Sequence, residues 1–314
     1  MARASICVGV PVWRGVAFVA ETLESIRRQR DVRFVAVISV DGDDAESAIA
    51  CRPFLADPRF RLVVQKSRLG WVGNTAAVLA AAIAEGPEYA CVQPHDDLLE
   101  DDYLASLLET ADKSPSAAAV FCDIAPFGNQ LKNILSQQTV AGAPVDRLRT
   151  LLLEHFNAVA YRALTRTSML ARLAPISGNP LQDFAVDTVW MTRLATAGDL
   201  VRVPRALYRK RYHAGNTHSA WSTWPDERKI AAWMRHCLDM FAEAVSVAKN
   251  NLARRELLDA ARDRLVQTGR KIGPYQSAIA ALSEAERQAL LHEFNMAAEP
   301  LLADAERRET LHIV

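Results

Sequence analysis

Two adjacent carboxylates at the end of an apolar run are the residues of this sequence best placed to do chemistry. Asp96 and Asp97 follow the largely apolar residues 89–93 and the dipeptide Pro94-His95. Hard oxygen ligands in such a place suit Mg²⁺ or Mn²⁺, which usually also hold water and a substrate phosphate. The same carboxylates could instead begin the helix that follows, since acidic residues are common at helix starts. The motif alone leaves a metal site and a helix cap equally open.

A second acidic cluster, Asp41-Gly-Asp-Asp44, ends the apolar run at residues 34–40. It has the same ambiguity, because Asp-Gly is also a plain turn signal. The first 125 residues alternate apolar runs with helical patterns, which predicts βαβ units and a mostly parallel sheet flanked by helices. In open α/β sheets, ligands bind beyond the C-terminal ends of the strands. We therefore expect Asp41 and the Asp96-Asp97 pair to lie on one rim of the sheet.

The elements predicted from the pattern are an α/β domain followed by an all-helical extension. Strands are expected at residues 6–12, 34–40, 61–65, 89–93, 117–122, 158–162, 200–203 and 206–212. Helices are expected at residues 16–29, 45–55, 75–85, 101–112, 145–155, 166–173 and 183–197, with a turn at 70–74 and a loop from 124 to about 144. We expect a catalytic domain at 1–224, with a nucleotide-binding half at about 1–125 and an acceptor half at about 126–224. Three or four amphipathic helices, broken around 269–275, are expected in the extension at 225–314.

Composition excludes several classes of protein. Lys and Arg together number 37, as do Asp and Glu, so nothing pulls the whole chain toward nucleic acid. The five cysteines include no CxxC pair, which favours buried, reduced thiols and a cytoplasmic protein. No apolar run approaches the roughly 20 residues that span a bilayer, although peripheral membrane contact stays open. The motifs GxGxxG, GxxxxGK[ST], GxSxG and HExxH are all missing, which disfavours dehydrogenases, P-loop enzymes, serine hydrolases and zinc proteases.

Five segments in order give the chain a resemblance, over roughly residues 5–220, to family 2 of the nucleotide-sugar glycosyltransferases, which have the GT-A type of fold. Residues 8–12 and the helix at 16–29 resemble the opening strand and helix of that family. Residues 37–44 resemble its Asp-Gly-Ser motif with Asp43 in the serine place, and residues 68–74 its Gly-and-Asn turn. Residues 89–97 resemble its DXD strand, with Pro94 in place of the first acid. Residues 181–187 resemble its later acidic motif, which usually reads Glu-Asp and here reads Val186-Asp187.

The resemblance implies a role for each matching position. It implies that Asp96 is the principal ligand of a Mn²⁺ or Mg²⁺ ion and that Asp97 shares the ion or orients its waters. Because imidazole is a competent ligand for such ions, His213 could complete the site, or it could be a loop histidine that contacts phosphate or nothing. The resemblance also implies a catalytic base at Asp187, with Asp183 as the alternative. The helix expected at 183–197 would place these two carboxylates one turn apart on a shared face. The residues implied to bind the nucleotide sugar are Pro11, Val12, Asp41, Asp43, Asn74 and Asp96.

The sequence therefore predicts a metal-dependent, inverting enzyme that moves a sugar from a nucleoside diphosphate to a hydroxyl of a glycan or another acceptor. The alternative is a catalytically silent family member that binds nucleotide or glycan and acts through its helical tail, which the loss of an acid at Pro94 motivates. A nucleotidyltransferase is disfavoured, because no Gly-rich basic loop follows the first strand. The C-terminal helices are expected to cover the catalytic domain, to pair two subunits as a homodimer, or to recruit a partner.

Overall fold

The structure of the protein, a computed structural model, describes residues 5–129, 133–154, 158–266 and 274–311. These residues form an eight-stranded sheet and its surrounding helices. The strands are β1 (Ile6–Val12), β2 (Phe34–Val40), β3 (Phe60–Val64), β4 (Tyr89–Val92), β5 (Leu98–Leu99), β6 (Ala117–Gly128), β7 (Leu164–Arg166) and β8 (Asp199–Tyr212).

The helices alternate with the strands at first and then follow one another toward the C-terminus. They are α1 (Val19–Arg27), α2 (Ala45–Cys51), α3 (Gly70–Glu85), α4 (Tyr103–Lys113), α5 (Pro144–Glu154), α6 (Thr167–Leu170), α7 (Val186–Ala197), α8 (Thr217–Ser222), α9 (Asp226–Val245), α10 (Asn251–Val266), α11 (Pro274–Ala280) and α12 (Glu284–Leu311). Short 3₁₀ turns lie at Arg52–Ala56 and Val159–Arg162. The break predicted around 269–275 lies mostly outside the described residues.

Packing divides the chain into two compact units. The sheet unit comprises Met1–Thr139, Val159–Gly178 and Gly198–His213, and the helical unit comprises Val140–Ala158, Asn179–Ala197 and Ala214–Val314. Helices α5 and α7 thus belong with the C-terminal helices, because their apolar faces are buried in the helical unit. The domain boundary expected at residue 224 and the two halves expected before it stay predictions.

The sheet has the strand order β3-β2-β1-β4-β7-β6-β8-β5. Strand β1 pairs in parallel with β2 and β4, and β2 pairs in parallel with β3. All seven side chains of β2 are buried, as expected for a strand covered on both faces. Strand β7 runs antiparallel to β4 and β6, β8 runs parallel to β6, and β5 runs antiparallel to β8. The predicted α/β sheet is confirmed, and the ends of β1, β2 and β4 share one rim.

Four predictions for elements of the sheet unit are wrong in their boundary, type or number. The turn expected at 70–74 is the first turn of α3, because the Asp41 carboxylate accepts the backbone N–H groups of Leu69 and Gly70. Strand β6 continues to Gly128 instead of ending at Cys122, because it pairs with β8 along its whole length. The strand expected at 158–162 is a 3₁₀ turn that precedes β7, and the two strands expected at 200–212 are the single strand β8.

The buried interior contains all five cysteines, none of them in a disulfide. Burial raises the pKa of the Cys7 and Cys122 thiols to about 12, so neither is a ready nucleophile at neutral pH. Among the described residues, no helix combines the length and the apolar character needed to cross a membrane.

Candidate active site

The rim begins with Asp41, which follows β2 and is 1% exposed. Its backbone N–H donates to the carbonyl of Val12 at the end of β1, with an N···O distance of 2.9 Å. Its carboxylate accepts the backbone N–H groups of Leu69 and Gly70 at 2.6 and 2.9 Å. Asp41 therefore ties together the ends of β1 and β2 and the beginning of α3, where a carboxylate also favours the helix dipole.

Asn74 also serves this part of the rim from inside. Its amide donates to the carbonyl of Ser39 at 2.9 Å and accepts the Ser39 hydroxyl at 2.6 Å, and the residue is 2% exposed. Asp43, in contrast, is exposed beyond the end of β2. The neighbouring Asp44 begins α2 and accepts the backbone N–H of Arg14, which holds the segment after β1.

Helix α1 holds the segment after β4 through hydrogen bonds from one side chain. The Thr22 hydroxyl lies 2.7 Å from the carbonyl of His95 and 2.9 Å from that of Asp97. Ring nitrogen Nδ1 of His95 lies 3.2 Å from the carbonyl of Pro11. Gly15 permits this approach, because a Cβ atom there would lie 2.9 Å from the His95 ring. The order of strands and helices thus brings Pro11, at the end of β1, against the acidic segment.

The structure brings Asp96 and His213 together. Oδ2 of Asp96 lies 2.9 Å from Nε2 of His213, and the two side chains are 16% and 22% exposed. His213 follows the end of β8, and its ring packs against Phe18 with 4.8 Å between centroids. A carboxylate and an imidazole that converge at a partly open rim are two ligands of the types that Mn²⁺ accepts.

Asp97 points the other way, into a buried network of polar side chains. Its Oδ2 accepts the Tyr208 hydroxyl at 2.7 Å and lies 3.4 Å from Nε of Arg162, and its Oδ1 accepts the backbone N–H of Arg211 at 2.8 Å. Burial raises the pKa of this carboxyl, and the positive charge of Arg162 opposes the rise. Asp97 therefore fixes β8 against the segment that carries Asp96.

Removal of the Asp97 carboxylate should destabilise the protein strongly. In Asp97→Ala the largely buried Arg162 guanidinium, whose side chain is 12% exposed, loses its carboxylate, and we expect the free energy of unfolding to fall by about 3–5 kcal/mol. Arg205→Ala is the matched control, because it breaks an ion pair with Asp102 whose side chains are 55% and 48% exposed, worth about 0–1 kcal/mol. Urea unfolding of both variants measures the difference, and equal losses would contradict the role given to Asp97.

Aromatic and basic side chains flank the carboxylates. The guanidinium carbon of Arg68 lies 4.3 Å from the centroid of the partly exposed Trp13 ring, and that of Arg14 lies 5.4 Å from it. Nε of Arg211 donates to the backbone carbonyl of Asp96 at 2.8 Å, and its guanidinium packs on Phe18. These contacts make the rim a place for an aromatic ring and a negatively charged group.

The two candidate bases lie in the helical unit. Asp187 is in the first turn of α7, is partly exposed, and its Oδ1 accepts the backbone N–H of Thr188 at 2.9 Å. Asp183 precedes the helix, and its Oδ1 accepts the backbone N–H of Asn179 at 3.1 Å. The expected shared helix face is wrong, because α7 begins at Val186 and Asp183 has the left-handed φ of 56°.

The residues that support the site carry no clear signal in the sequence. Nothing in the local pattern of Tyr208, Arg162 and Trp13 distinguishes them from ordinary core or surface residues. Arg211 belongs to a basic run, Arg209 to Arg211, and basic runs usually form a solvated face. Within the described residues, no group of three or more His, Cys, Asp or Glu side chains is arranged to hold a metal, and Asp96 and His213 are two such side chains that lie together on the rim.

The chain belongs to glycosyl transferase family 2, because the model of that family matches residues 7–173, more than half of its 314 residues. No curated protein matches it at the sequence level. The fold is similar to that of residues 1–349 of S. aureus TarS in complex with UDP, with a TM-score of 0.67 and 12% identity over 97% of this chain and 88% of that one. It is also similar to the mannosyltransferase PcManGT from Pyrobaculum calidifontis in complex with GDP-Man and Mn²⁺, with a TM-score of 0.54 and 19% identity over 99% and 88% of the two chains.

Family and fold together confirm two expectations from the sequence. The protein is a nucleotide-sugar glycosyltransferase, and its sheet and flanking helices have the fold that the resemblance implied. The individual site residues stay predictions.

Proposed function

We propose that this glycosyltransferase is metal-dependent and inverting, and that it moves a sugar from a nucleoside diphosphate to a hydroxyl group in the synthesis of a glycan. The observation that carries the proposal is the Asp96–His213 pair, whose carboxylate oxygen and imidazole nitrogen lie 2.9 Å apart. The pair lies on the rim where β1, β2 and β4 end, which is where open α/β sheets bind their ligands.

The donor is a nucleoside diphosphate sugar. TarS structures contain UDP and UDP-GlcNAc, and the PcManGT structure contains GDP-Man with Mn²⁺, which supports this class of donor. The partly exposed Trp13, with Arg68 packed on its ring, would lie beside the base, and Pro11, Val12 and Asp43 would contact base and ribose. Asp41 and Asn74 would support nucleotide binding indirectly by holding the strand ends in place. Their side chains are buried and form hydrogen bonds with backbone groups.

Mn²⁺ or Mg²⁺, when bound, would neutralise charge on the leaving diphosphate. Asp96 and His213 would hold the ion, and such ions usually keep water and substrate phosphate oxygens as their other ligands. Asp97 would serve the site by position, because both of its oxygens accept hydrogen bonds within the buried network.

The transfer itself exchanges one bond at the anomeric carbon for another. The acceptor oxygen attacks that carbon while the bond to the diphosphate oxygen breaks, and the electron pair leaves on the diphosphate. The acceptor proton passes to the carboxylate of Asp187, which must come within hydrogen-bond reach of the hydroxyl.

Nucleotide binding can be tested without an acceptor. We expect UDP or GDP with Mn²⁺ to raise the melting temperature, since a ligand at about a hundred times its Kd adds about 2.7 kcal/mol to stability. In Asp96→Asn the increment that depends on Mn²⁺ should vanish, while the increment from nucleotide alone remains.

Asp102→Asn is the control, because Asp102 is a partly exposed acid in the sheet unit outside the rim. Absence of a shift with UDP, GDP, dTDP and CMP alike would refute the donor site. An unchanged Mn²⁺ increment in Asp96→Asn would refute the metal site alone.

A further inference from the structure

The segment that leads into α7 has an unusual backbone. Gln182, Asp183 and Ala185 have φ angles of 54°, 56° and 50°, in the left-handed region that side chains with a Cβ rarely adopt. Three such residues within four positions persist only where the surrounding structure holds them. This segment ends one residue before Val186-Asp187, so its path sets the start of the helix that carries Asp187.

The side chain of Asn179 stabilises the turn at residues 179–185 through hydrogen bonds to its backbone. Its amide oxygen accepts the backbone N–H of Leu181 at 3.0 Å, and its amide nitrogen donates to the carbonyl of Phe184 at 2.9 Å. The backbone N–H of Asn179 donates to Oδ1 of Asp183 at 3.1 Å. Asp183 is thereby part of the turn, whereas Asp187 follows the turn as a residue of the first turn of α7.

Aromatic side chains from residues 221–275 pack around Phe184 of this turn. Phe184 is 1% exposed, and its ring centroid lies 4.6 Å from that of Tyr275, 5.2 Å from that of Trp221 and 6.0 Å from those of Trp224 and His236. The Tyr275 ring in turn stacks on Trp233 of α9 with 6.4 Å between centroids. We call Phe184, Trp221, Trp224, Trp233, His236 and Tyr275 the Phe184 cluster.

Helix α7 is attached to the same helices at its other end. Arg193 forms an ion pair with Glu243 of α9, and the two side chains are only 15% and 19% exposed. Trp190, Met191 and Leu194 of α7 are buried. With Phe184 fixed before its first turn and Arg193 fixed near its last, the helix is restrained in both position and rotation.

We infer that the C-terminal helices of this enzyme are the scaffold of its base segment, with Phe184 and Asn179 as positioning residues for Asp187. The inference rests on the proposed function, in which Asp187 takes the acceptor proton. The Phe184 cluster keeps Gln182, Asp183 and Ala185 in a left-handed backbone conformation that these residue types disfavour. The path of this turn sets the orientation of Asp187. Misplacement of a catalytic group by about 1 Å can cost about a hundredfold in rate, so this support is a large part of the chemistry.

The experiment compares two conservative core substitutions in one unit. Phe184→Leu loosens the cluster, and Phe294→Leu makes the same change at a 0% exposed residue of α12 that packs on Phe241. The assay follows release of UDP from UDP-GlcNAc, or of GDP from GDP-mannose, with Mn²⁺ present and water as the acceptor. We expect Phe184→Leu to lower kcat by about ten- to a hundredfold with the donor KM unchanged, and Phe294→Leu to leave kcat within about twofold.

A second pair of variants tests the backbone without altering the core. Gln182 is exposed, so Gln182→Gly and Gln182→Val differ in the ease of a left-handed φ rather than in packing. We expect Gln182→Gly to keep kcat and Gln182→Val to lower it. Faster amide hydrogen exchange at residues 179–189 in Phe184→Leu, but not in Phe294→Leu, would show that the turn has loosened.

Asp187→Asn separates failure of this inference from failure of the proposed function. If Asp187→Asn keeps full turnover, Asp187 is not the base and the inference falls with that assignment. If Asp187→Asn is inactive while Phe184→Leu and Gln182→Val both keep the kcat of the wild type, only the positioning role is refuted. Equal losses of kcat in Phe184→Leu and Phe294→Leu would also refute it, because a general loss of stability would then explain both.

Discussion

Replacement of Asp187 with asparagine should lower kcat for sugar transfer by about 10²- to 10⁴-fold and leave nucleotide binding unchanged. Asparagine has nearly the same size as aspartate, and its amide oxygen can still accept the backbone N–H of Thr188. The neutral amide cannot take up the acceptor proton. The loss should fall on kcat and on kcat/KM alike, which marks an interaction made only in the transition state. Nucleotide release at saturating donor, together with the melting shift given by UDP or GDP, measures both halves of the prediction.

Asp183→Asn is the matched control for Asp187→Asn. The Asp183 carboxylate accepts the backbone N–H of Asn179, so the amide oxygen of asparagine can replace it in the turn. We expect less than a tenfold loss of kcat in this variant. A larger loss in Asp183→Asn than in Asp187→Asn would reverse the assignment of the base. A wild-type chain that binds nucleotide and turns over no donor would favour the catalytically silent alternative.

The sequence is sufficient to predict those residue positions that depend on strand topology. The apolar runs that became β1 and β2 are bounded by Pro-Val and Asp-Gly signals, and both strands have the predicted ends. Once they are parallel, the chain must turn at the same edge of the sheet after each of them. The common rim of Asp41 and Asp96 follows when β4, which ends before Asp96, is parallel to β1 as well.

The sequence is not sufficient to predict contacts between residues that are far apart in the chain. Asp97 meets Tyr208, which is 111 residues away in the chain, and no local pattern records such a pairing. The sequence does not reveal the end of β6 for a related reason, since Pro126 and Gly128 are ordinary loop signals that pairing with β8 overrides. Gln182 and Ala185 carry no sequence sign of a left-handed backbone, because packing rather than residue type imposes it.

A chain that ends after Trp224 should fail to fold its helical unit. Helix α7 would lose Glu243, the partner of Arg193, and the Phe184 cluster would lose Trp233, His236 and Tyr275. Arg264 would no longer donate to the carbonyl of Leu152 near the end of α5, a hydrogen bond of 2.9 Å. The backbone groups and apolar faces of α5 and α7 would then be left without the helices that cover them.

The size of the effect follows from burial. The fully buried side chains lost with the truncation include Trp233, Met240, Phe241, Leu257 and Leu265. Each contributes about 1.5–3 kcal/mol, and their sum is comparable with the about 5–15 kcal/mol that keeps a whole protein folded. We therefore expect low soluble yield, no cooperative melting of the helical unit and no turnover, because Asp187 would lose its support.

The control for this truncation is a chain that ends after Glu306. It removes Arg307 and Arg308, which are exposed, and the residues beyond them, and it should melt and turn over like the full chain. Light scattering after gel filtration reports on the homodimer expected through the C-terminal helices, because loss of a dimer would halve the mass. A chain ending at Trp224 that stays soluble and monomeric with full turnover would show that these helices neither support the base nor pair two subunits.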